Sequence, residues 1–180
     1  MSVFSNPLSY APETADAYVR ALFDVLGDQE PLDTMPRTPA RLRDAVEGVP
    51  DAALRRPEAP GKWSVVQVVQ HLADSELVYG YRIRMTVAHD RPAIQGYDQD
   101  LWATSLRYDA VRLEDALADF EALRTLNLRF LRSLPEASWE RVGLHAERGE
   151  ESVRQLTRLM AAHDLVHLRQ IERIKRAVAG

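Results

Sequence analysis

The chain has 180 residues, 46% hydrophobic and 28% charged, with a formal net charge of −4. That supports one domain, residues 1–180, with a core of its own, while the mild acidity argues against a nucleic-acid module, which carries a basic stripe. The absence of cysteine excludes a disulfide framework, a thiolate zinc site and a cysteine nucleophile.

From the N-terminus, Met1 to Tyr10 lacks a basic segment followed by an apolar one, so it is not a signal peptide. No apolar run approaches the ~20 residues that span a bilayer; the expectation is a cytoplasmic protein with no membrane partner. Pro12 at the start and Gly27 at the end frame a helix over 13–26. The stretch 28–37 reads as a loop, and Thr38-Pro39 opens a shorter helix ending near Gly48. After the proline-rich connector "VPDAALRRPEAPGKW", Ser64 is a good N-cap for a long helix over 65–87. A long connection follows, with a short helical turn near Trp102. A third long helix is expected over 111–133, stopped by Pro135. "EASWERVGLHAERGEES" reads as a loop, and a last helix covers 153–178. The expected fold class is all-α, a four-helix bundle whose long connections allow parallel neighbours.

Two of the five histidines, His163 and His167, sit four apart on the last helix. At 100° per residue they fall in the middle of the stripe made by Leu156, Leu159, Met160, Ile171, Ile174 and Val178, with Asp164, Arg169, Glu172, Lys175 and Arg176 opposite. Imidazoles so spaced reach one metal; the alternative is a pair of hydrogen-bonded core histidines. On the 65–87 helix His71 lies beside Gln67, Asp74 and Ser75, away from Val65, Val66, Val68, Val69, Leu72, Ala73 and Leu77. Either that arc is solvated, or it lines a polar pocket where His71 completes a three-histidine site. Three neutral ligands with a free position are the pattern of a catalytic metal. Asp74 is then a candidate to orient an imidazole or act as a base on water, and Gln170 to support a ligand; an exposed aspartate is the other reading of Asp74. Glu76 falls on the apolar side of its helix and needs an ion pair or hydrogen bonds inside the bundle. His145, just before the last helix, could reach the same end of the bundle. There is no Glu-x-x-His, which argues against a di-iron bundle, and no His-Glu-x-x-His, phosphate loop or Gly-x-Ser-x-Gly elbow.

Taken in order, Trp63-Ser64 at a helix start, His71-Leu-x-Asp74, and His163-x3-His167 resemble the DinB/YfiT-like superfamily of four-helix metalloproteins, over about Thr38 to the C-terminus. The resemblance implies a divalent metal, zinc or nickel, on His71, His163 and His167, and frequent homodimers. It implies a metal-dependent enzyme of one of two kinds. The first is a transferase that activates a low-molecular-weight thiol; the second is a hydrolase using metal-bound hydroxide. A non-catalytic metal- or ligand-binding bundle is the third reading. Cationic side chains near the metal, such as Arg82 or residues of the 90–102 loop, would favour an anionic thiol co-substrate.

Overall fold

Ser64 starts the helix that carries the first candidate ligand, and it does so through a reciprocal cap. Its hydroxyl accepts the Gln67 backbone N–H at 3.4 Å while the Gln67 side chain accepts the Ser64 N–H at 2.9 Å, satisfying two of the donors a helix start leaves free. The computed structural model describes residues 12–178, with side chains from residue 17 on; the signal-peptide reading of Met1 to Tyr10 lies outside them. In chain order the elements are α1 (Pro12–Leu26), α2 (Pro31–Thr34), a 3₁₀ turn (Met35–Arg37), α3 (Thr38–Val46), α4 (Asp51–Leu54), α5 (Val65–Ala88), β1 (Ala93–Ile94), α6 (Gln99–Ser105), a 3₁₀ turn (Tyr108–Ala110), α7 (Leu113–Ser133), α8 (Glu136–Trp139), β2 (Val142–His145), β3 (Gly149–Ser152) and α9 (Val153–Val178).

The long helices α1, α5, α7 and α9 form the bundle: α5 packs on α7, and α9 packs on both α5 and α1. Contacts along the helices give their directions. Glu76 meets Arg124, Gly80 meets Asn127 and Arg84 lies 4.6 Å from the Phe130 ring centre, so α5 and α7 run parallel. His71 meets His163 and His167 while Tyr79 faces His163, so α9 runs antiparallel to α5. The α5–α7 approach depends on Gly80, because a Cβ there would lie 2.9 Å from Asn127 Nδ2 and closer still to its Oδ1.

The long helices stand where expected, but the stretches read as loop or connector are more ordered: 28–37 holds α2 and a 3₁₀ turn, the proline-rich connector holds α4, and 136–139 forms α8. Part of the expected loop over 136–152 forms β2 and β3, an antiparallel pair in register from Val142↔Ser152 to His145↔Gly149, and β1 joins β2 in parallel. These strands have two or four residues and little alternation of apolar and polar side chains, so periodicity gave no signal for them. Gly143 lets the sheet lie on α5, since a Cβ there would fall among the Ile94 and Thr86 side chains.

The core has two apolar clusters. One takes Tyr79 and Ile83 of α5, Leu128 and Leu131 of α7, and the first half of α9; the other takes Val65 to Ala73, Leu113 to Phe120 and the last part of α9. Between them lies a buried polar layer: His71, Ser75 and Glu76 from α5, Arg124 and Asn127 from α7, His163, Asp164 and His167 from α9. Two positions differ from the helical-wheel expectation. Asp164 is buried, not on a solvated face, and Leu77, expected among the apolar residues, is 54% exposed. A helix that packs on several neighbours buries more than one stripe, and α9 does so.

Candidate metal centre

His71 comes from the second turn of α5, and His163 and His167 from adjacent turns of α9. All three are buried. Their Nε2 atoms converge: His163 Nε2 lies 3.1 Å from His71 Nε2 and 3.0 Å from His167 Nε2, and the donor atoms fall within 4.8 Å of one another. Two nitrogens each at ~2.0–2.1 Å from a tetrahedral ion sit roughly 3.3–3.4 Å apart, so the cluster is close to the size an ion requires.

Protonation fits the same reading. Gln170 Oε1 lies 2.7 Å from His167 Nδ1; an oxygen there accepts, so Nδ1 carries the proton and Nε2 presents a lone pair to the centre. Burial holds His71 and His163 well below the ordinary histidine range, reinforced for both by the neighbouring His167. Burial also lowers His167, to about 4, against the opposing effect of the hydrogen bond it donates to Gln170 Oε1. Neutral imidazoles facing one another through Nε2 cannot all be satisfied by N–H donation, because His163 would have one proton to share between two partners. A cation satisfies the three lone pairs together.

The support around the trio is uneven. The Trp63 ring packs 5.0 Å from that of His71, whose Nδ1 is buried without a hydrogen-bond partner. The Ser75 hydroxyl is 3.5 Å from His71 Nε2 and 3.3 Å from the Tyr97 hydroxyl. Beside the trio, Arg124 donates to Glu76 Oε1 at 2.7 Å and to the two oxygens of Asp164 at 2.6 and 2.9 Å, and Thr38 donates to Asp164 at 2.7 Å. Asn127 donates to Glu76 Oε2 at 3.1 Å. This layer gives Glu76 the ion pair its position demanded, with Arg124 of α7 as partner. Two carboxylates against one guanidinium leave a buried net charge of −1 close to the imidazoles, which favours a cation there. Burial alone would lower the Arg124 pKa, but the charges of Asp164 and Glu76 outweigh it and hold it above the ordinary value.

Asp74 lies elsewhere on this surface. Its carboxylate accepts from Tyr108 and, at 3.2 Å, from Gln70, and among the described residues no hydrogen bond joins it to an imidazole. Burial raises its pKa, opposed by those two donors. Sequence reasoning missed Arg124, though a signal was present. It lies one turn from both Phe120 and Leu128, in the middle of an apolar stripe, where a lone guanidinium must have partners. His145, on β2, is buried and lines a small cavity of about 30 Å³ together with His71 and His163. His167 and Gln170 open instead on a pocket of about 240 Å³ edged by Trp63, Lys62 and Arg173.

Parallel and antiparallel helices around three convergent imidazoles define a helical bundle with a histidine centre suited to a metal ion. The chain belongs to the DinB superfamily, whose model matches residues 35–171. Its relatives carry provisional names as metal-dependent hydrolases. One from Geobacillus kaustophilus (strain HTA426) is 31% identical over 139 residues, 77% of this chain and 78% of that protein. One from Bacillus licheniformis is 31% identical over 176 residues, 96% and 91% of the two chains. The solved structure of YfiT from Bacillus subtilis, described as having an unusual four-helix bundle topology, is similar with a TM-score of 0.74 and 25% identity, covering 96% of this chain and 92% of that one. Among the described residues, no helix is long and apolar enough to cross a membrane.

Proposed function

We propose that the protein is a metal-dependent hydrolase of a small-molecule substrate, with one divalent ion, zinc or nickel, held by His71, His163 and His167. The observation that carries this reading is the convergence of three buried, neutral Nε2 donors with no carboxylate among them. When bound, such an ion supplies Lewis acidity and brings the pKa of water toward neutrality. The chain's own residues do the rest. The imidazoles offer lone pairs without first losing protons, and Gln170 fixes the His167 tautomer. Trp63 sets the His71 ring, and the buried −1 of the Glu76–Arg124–Asp164 layer offsets part of the ion's charge. Asp74 acts as a positioning residue in this scheme: it holds Tyr108, whose ring lies 6.5 Å from Trp63.

One observation favours a second reading, transfer of a low-molecular-weight thiol. The pocket beside His167 carries Lys62, Arg169 and Arg173, cations that suit an anionic thiol, although Arg173 is already paired with Glu58 at 2.8 Å. Zinc- and nickel-loaded protein assayed on a panel of esters and amides, and on chlorodinitrobenzene with a panel of thiols, separates the two. Hydrolysis above the level of His163→Ala, with no thiol-dependent conjugation, is expected. Thiol-dependent turnover without hydrolysis would overturn the hydrolase in favour of the transferase.

A further inference from the structure

The cavity lined by His71 and His163 is bordered on its far side by groups that the centre does not use. Arg82 is 6% exposed, yet none of its nitrogens reaches a carboxylate among the described residues. It donates through Nη2 to the Gln95 carbonyl at 2.5 Å, its guanidinium lies 5.7 and 6.0 Å from the ring centres of Tyr79 and Tyr97, and its Nε has no partner. Two aromatic rings and one carbonyl offset part of the cost of burying a cation, and the buried Glu151 acts on it from a distance, but no carboxylate pairs with it directly, which is costly. The neighbouring Arg148 differs, being paired through two bonds, at 2.6 and 3.0 Å, with the fully buried Glu151.

His145 shares that wall. Its Nδ1 accepts the Glu147 backbone N–H at 3.2 Å, so the proton sits on Nε2. That atom is buried with no acceptor. A protonated Nε2 cannot be a fourth metal ligand; it is a donor waiting for an oxygen. One carboxylate, that of Glu147, lines the cavity, half-buried and over Gly96, and it forms no ion pair with Arg82. Tyr79, Tyr97 and Ser75 add hydroxyl groups around the same space.

We propose that Arg82 and the Nε2–H of His145 bind the negatively charged oxygen head group, carboxylate or phosphate, of this protein's substrate. This rests on the trio being the reaction centre. The cavity of about 30 Å³ admits only the head group. The rest of the molecule then extends past Gln99, which borders both spaces, into the pocket of about 240 Å³ beside His167. Such a molecule spans the three imidazoles, so its scissile bond lies over them while its charge is anchored behind.

The test is calorimetric titration of the zinc-loaded full chain with acetate and, separately, with inorganic phosphate, alongside Arg82→Met, Arg82→Lys and His145→Gln, with metal content and thermal melting measured on every sample. One anion per chain is expected for the wild type, weakened at least tenfold in Arg82→Met and by less in Arg82→Lys. His145→Gln, which keeps a donor near the Nε2 position, also weakens binding less than Arg82→Met. The tighter of the two anions identifies the head group. Wild-type affinity in a folded Arg82→Met, or no binding to metal-loaded wild type, would overturn the proposal. Arg82-dependent binding by a wild type that takes up no metal would support the anion site and remove the hydrolase reading alone.

Discussion

Arg124 shows how much one side chain carries. It is 1% exposed and holds two carboxylates from two other helices. Replacing it by methionine leaves Glu76 and Asp164 buried together without a counter-charge, at a cost of roughly 3–5 kcal/mol; urea unfolding of Arg124→Met beside the wild type measures it, and a loss under about 1 kcal/mol would mean the layer is not held by this ion pair. The histidines give a second prediction. The folded-state pKa values of the buried His71, His145, His163 and His167 lie below the ordinary 6.5, with His167 at about 4 and His145 at about 3. The unfolded chain therefore takes up protons first as the pH falls, and stability drops with it. For chelator-treated protein the melting temperature is expected to be flat above about pH 7 and to fall progressively as the pH drops from about 6.5 toward 4. A melting temperature unchanged between pH 6.5 and 4 would contradict the burial of neutral imidazoles. At this scale the sequence was informative about residues on a clear stripe: His163 and His167 point inward as their spacing required. It left His71 open between a solvated arc and a pocket and placed Asp164 on the outward side, where packing buries both, because a wheel shows which residues share a face and not what covers it.

Among the elements, the parallel pair α5 and α7 is the least ordinary, and Gly80 is its hinge of contact. Alanine at this position gains helix propensity of about 1 kcal/mol. It also drives a methyl into Asn127, whose amide is committed to Glu76 and, at 2.8 Å, to Arg84. A net loss of about 1–2 kcal/mol is expected for Gly80→Ala, read as a lower urea midpoint with unchanged m-value; a raised midpoint would show that the two helices have room to spare. The long helices were legible from caps and period. Ser64 caps α5 as expected, α9 runs over the full 153–178, and α7 begins at Leu113, two residues inside the expected start at 111. The short strands were not legible, because their pairing partners are distant or offset by a turn and four residues carry too little alternation to register.

At the scale of the whole molecule, a polar layer is inserted between two apolar clusters at one level of the bundle. Long connections let α5 and α7 run parallel, so His71 meets α9 from one side while Arg124 and Asn127 reach the same level from another. No short motif contains that arrangement; it arises from the order of the helices, which is why the order and spacing of His71, His163 and His167 were more informative than any of them alone. These three residues are expected to hold one divalent ion. Metal analysis of the purified wild type beside His71→Ala and His163→Ala tests it directly. Near-stoichiometric divalent metal in the wild type, lost in both variants, is the predicted result, and equal metal content in all three would contradict it.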